Sequence, residues 1–576
     1  MSLMSSLYTG VSGLTTSQNA LNTTAHNLTN INTKGYVRQQ VVQADSTYFN
    51  WGVNHLTTFQ TGIGVDIQTV RQVRDTFLDK SYRKEIGRQG FYEVQYEAVS
   101  EVESMLGELE GVAFQNALEE LWESLQEVGK QPGAIESRAD FIKNAQSFIE
   151  RADIVYNQLN EYQVNLNTQI TGKVNRINKI AEEIEKLNND IRHYESTGIE
   201  NANDLRDTRN SLIDELGKII NITYKEHMDG VVTVNAEGMP LVTESNVYKM
   251  GTAKISATSN LLKPVWTGYD NIDVYELEKP STTKDDTDVG SLKGLLVARG
   301  DKQARYTDIP VRGNYATDKA YDDAVKNYND TLNTSVIMTV QAQFDQLIHG
   351  VVTAINDILS PNVKVTLDDG SEIWILDEEN APIGMDEPDY TMGEALFNRK
   401  SVDRYSAPTT VNILNADGTT TSKSVRIYNE EDSSDVYTMF TIGEIEINSK
   451  ISSNHSVLPL SSNNGSNEVD YRAAEALLGL WDNPFASVSP DTPVSNFKDY
   501  YVAFIGDLSI RGQQLESISV NQATMVDRID SQRQQVIGVS SDEELTNLIK
   551  FQHAYNASSR FITVVDQMLE HILTRL

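Results

Sequence analysis

Two apolar stripes at opposite ends of the chain limit its fold more than any other feature. Leu7, Val11, Leu14, Gln18, Leu21, Ala25 and Leu28 recur at alternating steps of four and three residues, the spacing of a heptad seam along one helix face. At the other end of the 576 residues, Leu548, Phe551, Tyr555, Ser558, Ile562, Val565, Leu569, Ile572 and Leu576 repeat that spacing. Upstream of them, Ile518, Gln522, Met525, Ile529, Gln532 and Val536 form a more polar version. The stretch "GVSSDEEL" (538–545) separates the two C-terminal runs. Gly538 stops one helix there, and Ser540 or Ser541 with Glu543 or Glu544 caps the next. The N-terminal helix is a poor one by itself. Its other faces carry Ser, Thr, Asn and Gln, and Gly10 and Gly13 weaken it further, since these residues lose more than alanine does on entering a helix. It needs a partner surface, and the matched stripe at the far end is the expected one. If the two ends pair, everything between them is an insertion into a helical rod.

The placement of charge agrees. With 48 Lys+Arg against 82 Asp+Glu the formal net charge is −34, which argues against nucleic acid and anionic membrane as partners because both require a basic face. Residues 1–33 carry no Asp, Glu, Lys or Arg, and Arg560, Asp566, Glu570 and Arg575 cancel within 551–576. Near-neutral ends and an acidic middle suit ends buried together and a middle facing water. Cysteine is absent, which excludes disulfides, thiolate catalysis and thiolate-bound zinc. No run of 18 apolar residues exists for a membrane span. The N-terminus lacks the basic and continuous apolar regions of a secretory signal peptide, so an exported chain would use another route.

Between the ends the periodicity changes several times. From about Asp75 to Leu216 it is helical, in "YEAVSEVESMLGELEG", "FQNALEELWESLQEV" and "KVNRINKIAEEIEKLNNDIRHYE", with a break at Pro132-Gly133. From Ile219 an alternating pattern with Asp229-Gly230 predicts a hairpin, and strand-like sequence continues to about 280. Residues 315–359 return to helix. Residues 363–450 again read as strands, with turns at "DDG" and "ADG", and "SSNNGSN" (461–467) has the composition of a linker. The expected fold class is multidomain α+β: a long helical bundle, like a coiled coil, built from both termini, with mostly-β domains inserted in the middle. The expected borders are 1–60 (N-terminal helix and hinge), 61–218 (helical rod), 219–314 (β-rich insertion), 315–360 (helical return), 361–500 (β-rich outer domain and linker) and 501–576 (C-terminal helices).

The joint after the first helix reads "HNLTNINTKGY" (26–36). Asn27, Asn30 and Asn32 can bond exposed backbone groups at a helix end and tolerate left-handed conformations. Gly35 permits the turn, and Tyr36 begins an extended exit. The bland reading is a helix stop, for which Asn and Gly are the usual residues. Elsewhere catalytic chemistry is missing. "TGIGVDI" has Gly62 and Gly64 but Ile67 where a third glycine would complete a dinucleotide loop, and no Walker loop, HExxH or nucleophile elbow occurs. "DDTDVG" (285–290) resembles the start of a calcium loop without its closing Glu. No catalytic, cofactor-binding or metal-binding residue is assigned.

The stretch "SLYTGVSGLTTSQNALNTTAHNLTNINTKGYVRQQ" resembles the N-terminal signature of flagellar rod, hook and hook-associated proteins, and "LTNLIKFQHAYNASSRFITVVDQMLEHIL" looks like its C-terminal counterpart. Three interior segments, "GIGVDIQTVRQVRDTFLDKSYR" (62–83), "NDLRDTRNSLIDELGKIINI" (203–222) and "GSLKGLLVARG" (290–300), are similar to the hook-associated protein 1 family. The resemblance implies a structural, non-enzymatic protein of the bacterial flagellum at the hook–filament junction, extracellular, with type III export and no cleaved signal peptide. It implies self-assembly into a helical ring, contact with the hook protein and with a second junction protein leading to the filament, and an export chaperone. The implied assembly interface comprises Leu7, Val11, Leu14, Leu21, Leu28, Asn27, Asn30, Asn32, Gly35 and Tyr36 on the N-terminal side. On the C-terminal side it comprises Leu548, Phe551, Tyr555, Ile562, Val565, Leu569 and Ile572. A hook or distal-rod protein shares the ends, but is not expected to carry the long helical segment or the "NDLRDTRN" box. A secreted enzyme in a flagellar frame, or an added surface-binding role for 361–460, are the readings from other classes.

Overall fold

The charge-free N-terminal segment forms α1 (Leu3–Thr29) and turns at Gly35, whose φ is +84°. The computed structural model describes residues 3–54, 57–107, 114–198, 200–257, 259–277, 279–415, 418–461 and 471–575. Most of the expected linker at 461–467, part of the "ADG" turn and Leu576 of the C-terminal stripe lie outside the described residues. After the turn, β1 (Gln39–Asp45), β2 (Tyr48–Asn54), β3 (Thr57–Gly62) and β4 (Val65–Gln72) make an antiparallel hairpin in two parts, β1 on β4 and β2 on β3. Gly64, with φ +128°, lies so close to α1 that a Cβ there would meet Ser12 Oγ at 2.0 Å. That glycine of "TGIGVDI" therefore serves helix–hairpin packing.

Asp75 caps α2 (Thr76–Leu106) by accepting the Phe77 and Leu78 amides at 2.8 and 3.3 Å, and Gly107 ends it in the left-handed conformation. Next come α3 (Phe114–Lys130), the Pro132-Gly133 break, α4 (Ile135–Glu195) and α5 (Asn203–Ile219). At 61 residues α4 is about 90 Å long, and Phe141, Phe148, Val155, Ile170, Ile177 and Ile184 lie along its buried stripe. Two small antiparallel sheets follow: β5 (Ile222–Glu226), β6 (Val232–Ala236) and β7 (Met239–Val242), then β8 (Met250–Lys254), β9 (Leu262–Trp266) and β10 (Ile272–Asp273). Gly230 (φ +80°) lies in the β5–β6 turn predicted at Asp229-Gly230. The helix α6 (Ser291–Arg299) carries no strand-like alternation and is almost wholly buried. It packs so tightly on α2 that a Cβ on Gly294 would meet Phe91 O at 2.6 Å.

The helical return contains α7 (Asp318–Asp330) and α8 (Val336–Leu359), the latter buried nearly all round in its first half. The outer part holds β11 (Asn362–Thr366) paired with β12 (Glu372–Leu376), β13 (Phe397–Arg399) with the later β16 (Ile445–Ile447), and β14 (Thr409–Leu414) with β15 (Thr420–Val425). Then come α9 (Ser449–Ser453) and α10 (Tyr471–Leu480). The chain returns through α11 (Phe497–Ile537), which runs antiparallel to α2: Ser509 Oγ meets Glu103 at 3.2 Å, Gln522 meets Glu85, and Arg533 meets Asp79. Finally α12 (Ser541–Arg575) runs antiparallel to α1. The fold is mixed α+β, with the terminal helices packed together and small sheets inserted in the middle. One continuous apolar core joins α2 to α6, α8, α10 and α11 with the inner faces of the sheets. The calcium-like loop is an ionic latch onto α2. Arg88 donates to Asp288 at 3.1 Å and Asp286 at 2.7 Å, and Lys84 adds a bond to Asp286 at 2.8 Å.

Candidate assembly site at the terminal helices and hinge

The two terminal helices meet through small residues. The residues α1 buries are Gly10, Thr16, Ser17, Ala20, Thr24 and Asn27. A Cβ added to Gly10 would lie 2.8 Å from Ile562 Cγ1, and one added to Gly13 would lie 2.8 Å from Ser558 Oγ. Gly10, Gly13, Ser17, Ala20, Thr24 and Asn27 themselves follow a three-four spacing, rotated roughly a quarter turn from the leucines at 100° per residue. The expected pairing of ends is therefore present, but the leucine stripe is not the face that closes. Leu7, Leu14, Leu21 and Leu28 are half-buried and Val11 is 46% exposed. Absent side chains let the backbones approach, and the leucines are left at the margin of the contact.

On α12 the predicted stripe does face inward. Val565 is buried, Leu548, Phe551, Tyr555, Ile562 and Leu569 are half-buried, and Ile572 is exposed. Ser540 holds the start of this helix by accepting the Glu544 amide on its carbonyl at 3.0 Å. The Glu544 side chain does not cap. It turns back into the hinge, where it is 2% exposed.

Asn27 is the centre of that hinge, and only 1% of it is exposed. Its Oδ1 accepts the Gln39 amide at 3.0 Å and the Tyr36 hydroxyl at 2.7 Å, while its Nδ2 donates to Gln39 O at 2.9 Å and Glu544 Oε2 at 3.1 Å. The side chain thus reads β1 as a neighbouring strand would, and every capacity of a buried amide is used. Arg38 completes the contact with the start of α12 and the end of α11. Its Nε donates to Glu544 Oε1 at 2.8 Å, its Nη1 lies 2.9 Å from Glu543, and its amide donates to Ile537 O at 2.8 Å. Asn30 has the helix-end role expected of it: Nδ2 donates to His26 O at 3.0 Å, and Oδ1 accepts from Thr33 at 3.1 Å. Asn32 is exposed. Tyr36 also meets His26 Nδ1 at 3.0 Å. Burial, with the nearby charges of Asp207 and Glu544, raises its phenol well above the usual range. Sequence reading found Asn27, Asn30, Gly35 and Tyr36. It missed Gln39, which pairs with Asn27, and Arg38 and Asp207, whose partners are remote along the chain.

Asp207 of α5 secures the same joint from below. It accepts the Val37 amide at 3.1 Å and the Gln72 side chain at 2.6 Å. Burial pushes its carboxyl up to about 7 from 3.8, and Val37, Arg74 and Gln72 offset this only in part. The folded hinge therefore binds a proton that the unfolded chain releases near pH 4. Its contribution is fully present below that pH and is lost as pH rises through 7. Limited proteolysis of the 30–38 segment is expected to accelerate several-fold between pH 6 and pH 8.5, and Asp207→Asn is expected to remove that dependence. Equal cleavage of the parent chain at both pH values would contradict this assignment.

A polar cleft of about 430 Å³ opens beside the joint, lined by Thr23, Thr24, Gln39, Gln43, Asn547 and Lys550 among others. The described residues contain no grouping of three or more His, Asp or Glu suited to a metal ion.

Comparison with known families and structures matches three parts of the chain. Residues 99–374 match the helical domain of flagellar hook-associated protein FlgK, residues 7–36 the flagella basal body rod protein family, and residues 530–575 the C-terminal family of the flagellar basal body rod FlgEFG proteins. Flagellar hook-associated protein 1 of Bacillus subtilis is 25% identical, over 98% of this chain and 97% of that protein. The protein of the same description from Salmonella typhimurium is also 25% identical, over 99% of this chain and its own whole length. The structure of the flagellar hook junction protein FlgK from Burkholderia pseudomallei superposes with a TM-score of 0.51 at 13% identity, covering 79% of this chain and 100% of that one. That likeness is one of fold.

Proposed function

Because the chain belongs to the family of flagellar hook-associated protein 1, whose members are structural components and not enzymes, we propose that its terminal helices and hinge are the self-assembly element of a hook–filament junction protein. The junction role itself follows from the family and from similarity along nearly the whole chain. The helical-domain match at 99–374 separates it from hook and rod proteins, whose type of match is confined to the two ends.

One observation carries the assembly reading. The α1–α12 pair leaves Tyr8 and Val11 uncovered on one helix, and Ile549, Phe561, Val564 and Met568 on the other. A two-helix ribbon with apolar residues on both sides of its seam is suited to burying them against further copies. Such copies meet head to tail, by contacts that propagate as a helical ring. The half-buried leucines of α1 run along the same helix as the uncovered Tyr8 and Val11. Asn32, exposed beside the satisfied Asn27 and Asn30, is the hinge amide free to face a neighbour. Ends that gain much of their order from neighbours also suit export as an unfolded chain. On this reading the outer portion, 361–500, projects from the ring, and the hook protein and a second junction protein lie at its two axial faces. The protein then acts outside the cell, reached by type III export with a chaperone and without signal cleavage.

Deletion of the gene tests the function. The expected result is hooks without filaments, with flagellin shed into the medium. Normal filaments on the deletion strain would refute a junction role. Complementation with a Val564→Asp, Met568→Asp chain separates assembly from supply: that chain is expected in the medium and not on hooks.

A further inference from the structure

Three stretches of the chain converge where the terminal pair meets the helical rod: 36–39, which turns from α1 into β1, 72–76, which leads from β4 out to α2, and 533–541, which leads from α11 back to α12. Three unsupported stretches at such a junction would ordinarily make a flexible neck. Here all three are tied to one short helix, α5. Its Asp207 and Asp214 are seven residues apart and so lie on one face.

We propose that α5 is the locking plate of this neck, and that Arg533 is the positioning residue that fixes the direction in which the terminal pair leaves the rod. Arg533 comes from the last turns of α11. Its Nη2 donates to Asp214 Oδ2 at 2.7 Å, its Nε lies 2.7 Å from Asp79 Oδ1 of α2, and its guanidinium covers the Tyr82 ring at 4.7 Å. Each carboxylate is shared with a second arginine. Asp214 accepts from Arg83 at 2.6 Å, and Asp79 receives both arms of Arg74 at 3.0 and 3.1 Å. Arg74 in turn lies 3.9 Å from Asp207, which holds Val37 and Gln72 of the other two passages. The first and third passages also meet directly, through the Arg38 amide on Ile537 O.

The arrangement is buried. The side chains of Arg533, Asp79 and Arg83 are 8%, 6% and 3% exposed. Burial alone would raise the Asp79 carboxyl, but Arg74, Arg533 and Arg83 together hold it below the usual carboxylate range. Ion pairs in such a place add little net stability, because desolvating the charges offsets their attraction. Their distinguishing property is direction. A planar guanidinium held by two carboxylates and stacked on a ring has one orientation, whereas an apolar neck of similar area would slide and rotate. The lock stands regardless of what the terminal pair assembles with.

Hydrogen exchange on the full-length chain tests it, read at peptides covering 36–45 and 65–74, with peptides from 141–180 of α4 as reference. In Arg533→Ala the two neck peptides are expected to exchange at least tenfold faster while α4 is unchanged. Val37 bonds to Asp207 and not to Arg533, so loss of its protection reports the linkage between passages. If Arg533→Ala also loosens α4, Arg533→Lys decides. It keeps the charge but loses the fork, and is expected to give an intermediate loss at the neck alone. Asp214→Asn in either background is expected to add less than its single effect. Neck protection equal to the parent in both Arg533 variants, or a neck already unprotected in the parent, overturns the proposal.

Discussion

A chain carrying leucine at both Gly10 and Gly13 is expected to lose the packing of α1 on α12 and, with it, motility of the cell that produces it. The glycines sit where the helix backbones come closest. A Cβ at Gly10 falls 2.8 Å from Ile562 Cγ1 and 3.1 Å from Phe561 Cδ1. The branched Ile562 has little rotamer freedom on a helix with which to withdraw. At Gly13 the obstacle is a serine hydroxyl, which can rotate. Gly13→Ala is therefore expected to be tolerated, its steric cost set against a helix-propensity gain of about 1 kcal/mol. Leucine at either site must push the helices apart, and overpacking of this kind costs about 1–3 kcal/mol at each. The readouts are swarming and the proteolytic resistance of the terminal pair. Full motility of the double-leucine strain would show that this contact is not used. Partial rescue of Gly10→Ala by Ile562→Ala would confirm the contact itself.

The second large effect lies in the rod. Phe114→Ala is expected to destabilise the folded protein by about 3–5 kcal/mol, seen as a fall of several degrees in the first thermal transition. Phe114 is fully buried at the start of α3, and its ring lies 5.3 Å from Phe148 of α4, 4.8 Å from Phe344 of α8 and 5.7 Å from Tyr501 of α11. Four helices from distant parts of the chain converge on this one side chain, so the cavity cannot close by moving one of them. Phe77→Ala is the matched control. Phe77 is 73% exposed on α2, and its loss is expected to stay within about 0.5 kcal/mol of the parent. Similar melting of both variants would mean that the aromatic cluster contributes little.

Asp214 shows why some of the neck stayed hidden in the sequence. The "NDLRDTRN" box and the residues after it carried the resemblance to the hook-associated family, yet no spacing rule distinguishes Asp207 and Asp214 from exposed acids such as Glu215 on the same helix. Their partners are Val37, Gln72, Arg83 and Arg533, up to 319 residues away. Asn27 was legible as a polar residue at a helix end. Its pairing with Gln39 and Glu544 was not, because that pairing requires β1 and the start of α12 to arrive at the same place.

What the sequence determined by itself is the class of architecture. Helical periodicity at both termini, its recurrence from Asp75 to Leu216 and the alternating runs between are local patterns, and the physics that produces them acts within a few turns or strands. They sufficed for a rod made of both ends with small sheets inserted. Which face of α1 closes on α12 was a tertiary decision. Two interleaved three-four patterns run along that helix, one of leucines and one of Gly, Ser, Ala, Thr and Asn. Hydrophobicity favours the first, but backbone approach at Gly10 and Gly13 is available only to the second. Close approach between helices depends on the shape of both partners, and neither sequence segment contains the other's shape. The same holds at the hinge, where a buried asparagine and three shared carboxylates acquire their roles only when remote passages of the chain are brought within hydrogen-bond distance.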